Sequence, residues 1–254
     1  MINVHYFNPQ SGIGVNNFGD MLVPHIIKYI SGEDVEYVPA LTEGKVLCIG
    51  SEIANGRALQ KNDIVWGYGA NRKKEVILPD GVKLLATRGH FSAKLIKNGT
   101  PEAYGDPALL MPYIYRPKTL KQYDVGIIAH YIDKKLIKTK DPNVLIININ
   151  NDPFEIIDKL NSCNTIISTS LHGCIVSEAY GIPVTWLKVS QRVIGMEFKW
   201  NDYFSATGRD TQEPITMIGE LTSIKGLTNK TLPNPRIRTQ GLIKAWCDYY
   251  DKNK

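Results

Sequence analysis

The chain has 254 residues, 43% apolar and 22% charged, with a formal charge of +5 and a pI near 8.9. That length holds one large domain or two small ones, and the composition excludes a disordered chain. The modest positive excess suits anionic small substrates or an anionic membrane surface; without a stripe of Arg and aromatics it excludes a nucleic-acid partner.

No apolar run approaches the roughly 20 residues that span a bilayer. MINVHYFNPQ has no basic segment followed by an apolar one, so it reads as a first strand, Met1 to Tyr6, and the expected location is the cytoplasm. A Gly- and Asn-rich stretch from Ser11 to Asn17 follows, then a helix carrying Leu22, Ile26, Tyr29 and Ile30, with Asp20 as its N-cap and Gly32 as its close. In a doubly wound domain such a first loop borders the ligand crevice, which makes Asn17 and Asp20 candidate substrate-binding residues; loop and cap chemistry is the alternative.

Strands are expected at Lys45 to Ile49, Asp63 to Trp66 and Lys83 to Thr87. The first two end in Gly50-Ser51 and Gly67-Tyr68-Gly69, small residues that keep a crevice open at strand C-termini. The third ends at Arg88, placed to fork onto a carboxylate or phosphate or to form an ion pair. A helix over Phe91 to Asn98 stops at Gly99, Tyr104 to Ala108 reads as a strand end, and Met111 to Gln122 reads as a linker.

The second half repeats the order of elements. Asp124 to Ala129 is a strand ending at His130, Asn143 to Ile149 is another, and Asp152 with Pro153 opens a helix running to Ser162. Thr165 to Leu187 then reads strand, turn, helix, strand, with Gly181 and Pro183 ending the helix. At its turn, small Ser168, Thr169, Ser170 and Gly173 would let an anion reach the unpaired helix amides, and His172 stands at the mouth. A polar stretch with Arg192, Lys199, Trp200, Asp202 and Tyr203 follows, then a weakly helical Ile218 to Ser223, a loop, and a last helix over Thr239 to Tyr250.

This order predicts an α/β protein of two Rossmann-like domains facing across a cleft. The expected boundaries are 1–115 and 123–238, with helix 239–250 packed back on the first domain. Cys48, Cys163, Cys174 and Cys247 form no CxxC pair, read as reduced thiols, and suggest no metal. Lys134, Lys135, Lys138 and Lys140 read as a solvated face, with a membrane or polyanion role as the alternative. Trp66, Tyr68, Trp186 and Trp200 suit either sugar stacking or core packing.

Five segments in this order resemble the polysaccharide pyruvyl transferase family: Asn17-Phe18-Gly19-Asp20; Val65-Trp66-Gly67-Tyr68-Gly69; Arg88-Gly89 with Gly105-Asp106-Pro107; Ile128-Ala129-His130-Tyr131; and Ser168-Thr169-Ser170-Leu171-His172-Gly173 with Gly181-Ile182-Pro183. The resemblance spans roughly residues 4 to 204. It implies a glycosyltransferase-B-like pair of domains and transfer of a pyruvyl group from phosphoenolpyruvate onto two sugar hydroxyls as a ketal. It also implies a lipid-linked sugar acceptor at the inner membrane face, with peripheral membrane contact. Many members carry Arg directly before Leu-His-Gly, where this chain has Ser170. Either Arg88, Arg192 or Lys199 supplies that charge, or the donor differs.

Such a reaction needs an acid, a base and anion binders, and no cofactor beyond the donor itself. His172 is the expected acid or phosphate ligand and His130 the second proton-transfer group, with the roles exchangeable. Two other readings stand beside this one. Glu178, followed by Gly181-Ile182-Pro183, resembles the ribose-holding segment of nucleotide-sugar glycosyltransferases, and its bland alternative is a solvent-facing helix position. A non-catalytic carbohydrate-binding subunit is the other.

Overall fold

The computed structural model describes residues 1–7, 17–55 and 59–253. Most of the Gly- and Asn-rich first loop, 11–16, lies outside the described residues. The first sheet is built from β1 (Ile2–Val4), β2 (Val35–Tyr37), β3 (Val46–Leu47), β4 (Ile64–Tyr68), β5 (Lys83–Thr87) and β6 (Ala103–Tyr104), in the spatial order β2-β1-β3-β4-β5-β6. The second comprises β7 (Tyr123–Ile128), β8 (Val144–Ile147), β9 (Cys163–Ser168), β10 (Val184–Lys188) and β11 (Ile215–Thr216), in the order β11-β10-β9-β7-β8. Every pairing in both sheets is parallel.

The two sheets share one winding rule. In each, the first strand lies between the second and the third, so the chain reverses direction across the sheet at β1/β3 and again at β7/β9. At such a switch point the connections leave on opposite faces, and a crevice opens outside the strand C-termini.

The helices form where local signals agree. In α1 (Phe18–Met21) and α2 (Val23–Ser31), Phe18, Val23, Ile26 and Ile27 turn inward, and Pro24 is harmless in the first turn of α2. Asp152 caps α5 (Pro153–Asn161) by accepting from the amides of Phe154 and Glu155. In α6 (Leu171–Ala179), Gly181 takes the left-handed conformation (φ 72°). There the Gly181 amide donates to the Glu178 carbonyl and the Ile182 amide to the Ser177 carbonyl, which closes the helix and pairs two of its last carbonyls.

Four local expectations change. Asp20 is not an N-cap: Asn17 holds that position, and Asp20 sits inside α1 with its carboxylate accepting from the Phe7 amide at 3.2 Å. The supposed linker begins with the buried Met111 of α4 (Met111–Ile114). The polar stretch after Arg192 contains α7 (Met196–Ala206), whose Trp200, Tyr203 and Phe204 are buried. Ile218 to Ser223 is no helix, because Leu221 bridges to Ile137 as a strand would.

The last helix, α8 (Gln240–Asn253), packs on the first sheet. The Trp66 indole donates to the Leu242 carbonyl at 2.9 Å, and the Trp66 and Trp246 rings lie 5.1 Å apart. A continuous apolar core joins the halves, running from Ile26 and Trp66 through Leu110 and Ile156 to Ile175, Trp186 and Trp200. Among the described residues no helix is long and apolar enough to cross a membrane.

Candidate active site

The two switch points meet at a cleft of about 450 Å³. Tyr6 and Phe7 enter it from beyond β1, Gly50 and Ser51 from beyond β3, His130 and Tyr131 from beyond β7, and Ser170 and His172 from beyond β9. Asn17, Asp20, Glu52, Tyr68 and Lys199 complete its polar wall, and Ile132 and Ile194 an apolar one.

His172 sits at the start of α6, with its side chain 11% exposed. Its Nε2 lies 3.5 Å from Oδ2 of buried Asp106, and a Cβ on Gly19 would overlap its imidazole. Ser170, the N-cap of α6, accepts from the Gly173 amide through its hydroxyl. Lys199 comes from α7; it is half-buried, and its ammonium has no hydrogen-bond or ion-pair partner among the described residues.

Burial sets the protonation states here. Asp20 is pushed up to about 7 by desolvation, against the pull of His172 and the Phe7 amide. His130 is pushed down to about 3 by burial and by the neighbouring Lys199 and His172, so near neutral pH it is an uncharged imidazole. Lys199 drops to about 8 through burial and the Arg88 charge, offset by Asp20 and Asp133. Burial, Asp106 and Asp20 keep the Cys48 thiol protonated, which removes it as a nucleophile. The cleft thus offers a carboxyl poised near neutrality, a histidine beside a buried carboxylate, and an unpaired cation.

Eight of the residues singled out from sequence therefore line the cleft: His172, His130, Asn17, Asp20, Gly50, Ser51, Ser170 and Lys199. Five do not. Ser168 and Thr169 are fully buried: the Ser168 hydroxyl donates to the Ser170 carbonyl, and the Thr169 hydroxyl accepts from the His130 amide. Gly173 packs on β7, where a Cβ would stand 2.6 Å from Ile128 Cγ2. Gly67 packs against Pro107.

Arg88 is the fifth. Its Nε donates to Asp202 (3.0 Å), one Nη to Ser51 Oγ (2.6 Å) and, at 3.4 Å, to the Gly50 carbonyl, and the other Nη to the Ala70 carbonyl (2.7 Å) while lying 2.9 Å from the same Asp202 oxygen. It has no free fork for a ligand. Asp202 also accepts from the Ser92 amide and hydroxyl, and Ser205 Oγ accepts from the His90 amide. Thus α7 caps α3 (His90–Leu95), whose own Gly89 provides no side-chain cap.

Glu178 is neither solvent-facing nor free for a ribose. It holds Arg209 through both oxygens (2.6 and 2.9 Å) and accepts from the Tyr203 hydroxyl (2.7 Å). Trp66, Trp186 and Trp200 are core residues, the last two stacked with centroids 4.7 Å apart, and only Tyr68 of that group reaches the cleft. Arg192 is exposed, donating to the Ile132 carbonyl at the rim.

Sequence reasoning gave no role to Asp106 or Asp133. The carboxylate of Asp133 accepts from Ser190 Oγ at 2.6 Å and leaves its second oxygen buried without a hydrogen-bond partner. The Gly105-Asp106-Pro107 motif was a signal for Asp106; nothing local marks Asp133. Among the described residues no group of three His, Cys, Asp or Glu side chains is placed to hold a metal ion.

A family model described as polysaccharide pyruvyl transferase matches residues 17–191. An uncharacterised protein of Acanthamoeba polyphaga mimivirus is 28% identical over 225 residues, covering 82% of this chain and 75% of that protein. A solved structure of a functionally uncharacterised Klebsiella pneumoniae protein aligns with a TM-score of 0.46 at 12% identity, over 86% of this chain and 93% of that one. The matched span starts at the Asn17 turn, contains β7 and β9, and runs past His172 in the cleft: the chain belongs to the polysaccharide pyruvyl transferase family.

Proposed function

We propose that the protein transfers the enolpyruvyl unit of phosphoenolpyruvate to two hydroxyls of one sugar, forming a pyruvate ketal and releasing phosphate. The observation that carries this reading is the joining of Lys199, Asp20 and His172 in one cleft of a family member. A proton delivered to the donor's methylene carbon makes a methyl group and leaves the central carbon electrophilic. The first hydroxyl adds there and loses its proton; the C–O bond to phosphate then breaks, and the second hydroxyl closes the ketal and loses its own. Of the two protons released, one balances the proton used on carbon and the other leaves with phosphate.

Lys199, unpaired and facing the cleft, replaces the arginine many relatives carry at the Ser170 position, and binds the donor's carboxylate or phosphate. Ser170 and the first amides of α6 assist it. Asp20, titrating near 7, joins His172 as a proton-transfer group. His130, uncharged near neutrality, acts as a hydrogen-bond partner or weak acceptor and not as the acid.

In this reading the two sheets are Rossmann-like units, 1–115 with the last helix and 123–238, that face each other in a glycosyltransferase-B-like manner. The acceptor is a sugar, carried on a lipid at the inner membrane face, and no cofactor is required. The engagement of both Glu178 oxygens by Arg209 disfavours nucleotide-sugar transfer.

The test is thermal unfolding with phosphoenolpyruvate and, separately, with UDP, GDP and CMP sugars, followed by phosphate release in the presence of candidate sugar acceptors. A ligand at a hundred times its Kd adds about 2.7 kcal/mol of stability. A shift with phosphoenolpyruvate and acceptor-dependent phosphate release support pyruvyl transfer. A shift with a nucleotide sugar alone refutes it.

A further inference from the structure

We propose that Asp106 is the positioning residue of His172: its carboxylate holds the Nε2 edge of the imidazole while the Gly19 backbone packs on the face of the ring, so the ring keeps one orientation and carries its proton on Nε2. The first support is a pair of orphans. Asp106 Oδ2 and His172 Nε2 are both buried, neither has a hydrogen-bond partner, and they face each other at 3.5 Å. A movement of a few tenths of an ångström brings them to hydrogen-bond distance. The other Asp106 oxygen is engaged, accepting from the Ala108 amide at 2.9 Å, so Oδ2 is the one left for the histidine.

The second support is independent of the first. A Cβ on Gly19 would overlap Nδ1 and Cγ of His172 from above the ring, so the main chain of α1 lies against one face of the imidazole and restricts its turning while leaving the Nδ1 edge uncovered by Gly19. Nδ1 makes no hydrogen bond among the described residues, consistent with a bare lone pair on that nitrogen. Which nitrogen of a histidine carries the proton is set by the partner of the other. Asp106 is itself braced: it caps the turn Pro107–Leu110, and Pro107 packs on Gly67 at the end of β4.

A histidine from the second sheet is therefore oriented by residues of the first. As a neutral ring it presents Nδ1 as the proton acceptor, and as an imidazolium it is stabilised by the Asp106 carboxylate. The consequence for turnover rests on the reading of His172 as a proton-transfer residue; the orientation and tautomer do not.

The experiment uses full-length protein with 15N-labelled histidine, long-range 1H–15N spectra at neutral pH, and His172→Gln to assign the signal. The wild type should show His172 as the Nε2–H tautomer. Asp106→Asn and Asp106→Ser both keep an acceptor for the Ala108 amide. A purely structural role therefore leaves the His172 spectrum unchanged in both, whereas positioning predicts loss of the single Nε2–H form in each. A wild-type Nδ1–H tautomer, or an unaltered His172 signal in either folded variant, overturns the proposal; the wild-type spectrum alone decides between the tautomers even where both variants fail to fold.

In phosphate release from phosphoenolpyruvate the variants should lose roughly 10- to 100-fold in kcat at unchanged KM. A wild type with the expected tautomer and no turnover of phosphoenolpyruvate refutes the functional reading and leaves the positioning role standing.

Discussion

Asp20→Asn should stabilise the protein, and by more at high pH than at low. In the folded chain Asp20 titrates near 7 because burial disfavours its charge; in an unfolded chain an aspartate titrates at about 3.9. Between those values the folded state holds a proton that the unfolded state has lost, so stability falls as pH rises through this window. About three pKa units at 1.36 kcal/mol each amount to a penalty on the order of 4 kcal/mol above neutrality.

At about pH 5 the same titration has cost about 1.5 kcal/mol, so the gap between variant and wild type should widen by about 2.5 kcal/mol on going to about pH 8. Asparagine keeps the size of the protonated carboxyl and an oxygen for the Phe7 amide, and it does not ionise. The assay is urea unfolding of both proteins at the two pH values, or the corresponding Tm difference of roughly 5–10 °C. Comparing the two proteins cancels the opposite slope from His130, whose depressed pKa makes stability rise with pH from about 3 to its usual value. A gap that stays constant with pH, or closes, refutes the assignment of Asp20 as a carboxyl tuned by burial.

Other substitutions test the remaining parts of the site. Gly19→Ala should drive the His172 ring from its place, costing about 1–3 kcal/mol in unfolding experiments and reducing phosphate release to the level of His172→Ala. Asp202→Asn leaves the fully buried Arg88 without its counter-ion and should cost about 3–5 kcal/mol by denaturant unfolding, against about 1 kcal/mol for Ser92→Ala. Lys199→Met should raise the Kd for phosphoenolpyruvate by roughly 10- to 100-fold in calorimetry while leaving the folded protein at least as stable at neutral pH. Its lowered pKa means the folded state disfavours the charge, a penalty present below about 8 and relieved as pH rises toward the usual lysine value.

Legibility in the sequence followed the range of the interaction. Asp152-Pro153 and Gly181-Pro183 act within a turn of the chain, and the helices they bound begin and end as their chemistry dictates. The apolar runs of β7 and β9, and the glycines in and after β3 and β4, announced parallel strands, and His130 and His172 stood at a strand end and a helix start where a crevice forms, whereas Asp20 was legible as a crevice residue but not as a position inside α1. What could not be read was the use of side chains across long separations. Arg88 looked like a ligand fork because its partner Asp202 lies 114 residues away. Glu178 looked exposed or ligand-bound because its partner Arg209 follows in a loop with no signal of its own. Ser168, Thr169 and Gly173 share the small-residue character of an anion loop with that of a tight strand-to-helix joint, and here they make the joint. The helix α7 is not legible because its aromatic residues are separated by Lys199, Asn201 and Asp202; Asn201 holds the loop at Gln212, and Asp202 finds its partners Arg88 and Ser92 only in the first half.

The capping of α3 by α7 bears on how the chain is made. At a synthesis rate of roughly 5–20 residues per second, the 114 residues between Arg88 and Asp202 take on the order of 6–20 s to emerge. Throughout that interval the nascent first sheet carries a guanidinium with no counter-ion and a helix whose opening amides have no acceptor from α7. The first half is thus held back from its final state until α7 leaves the ribosome, and a translational pause or truncation before residue 202 leaves a fragment exposed to chaperones and proteases.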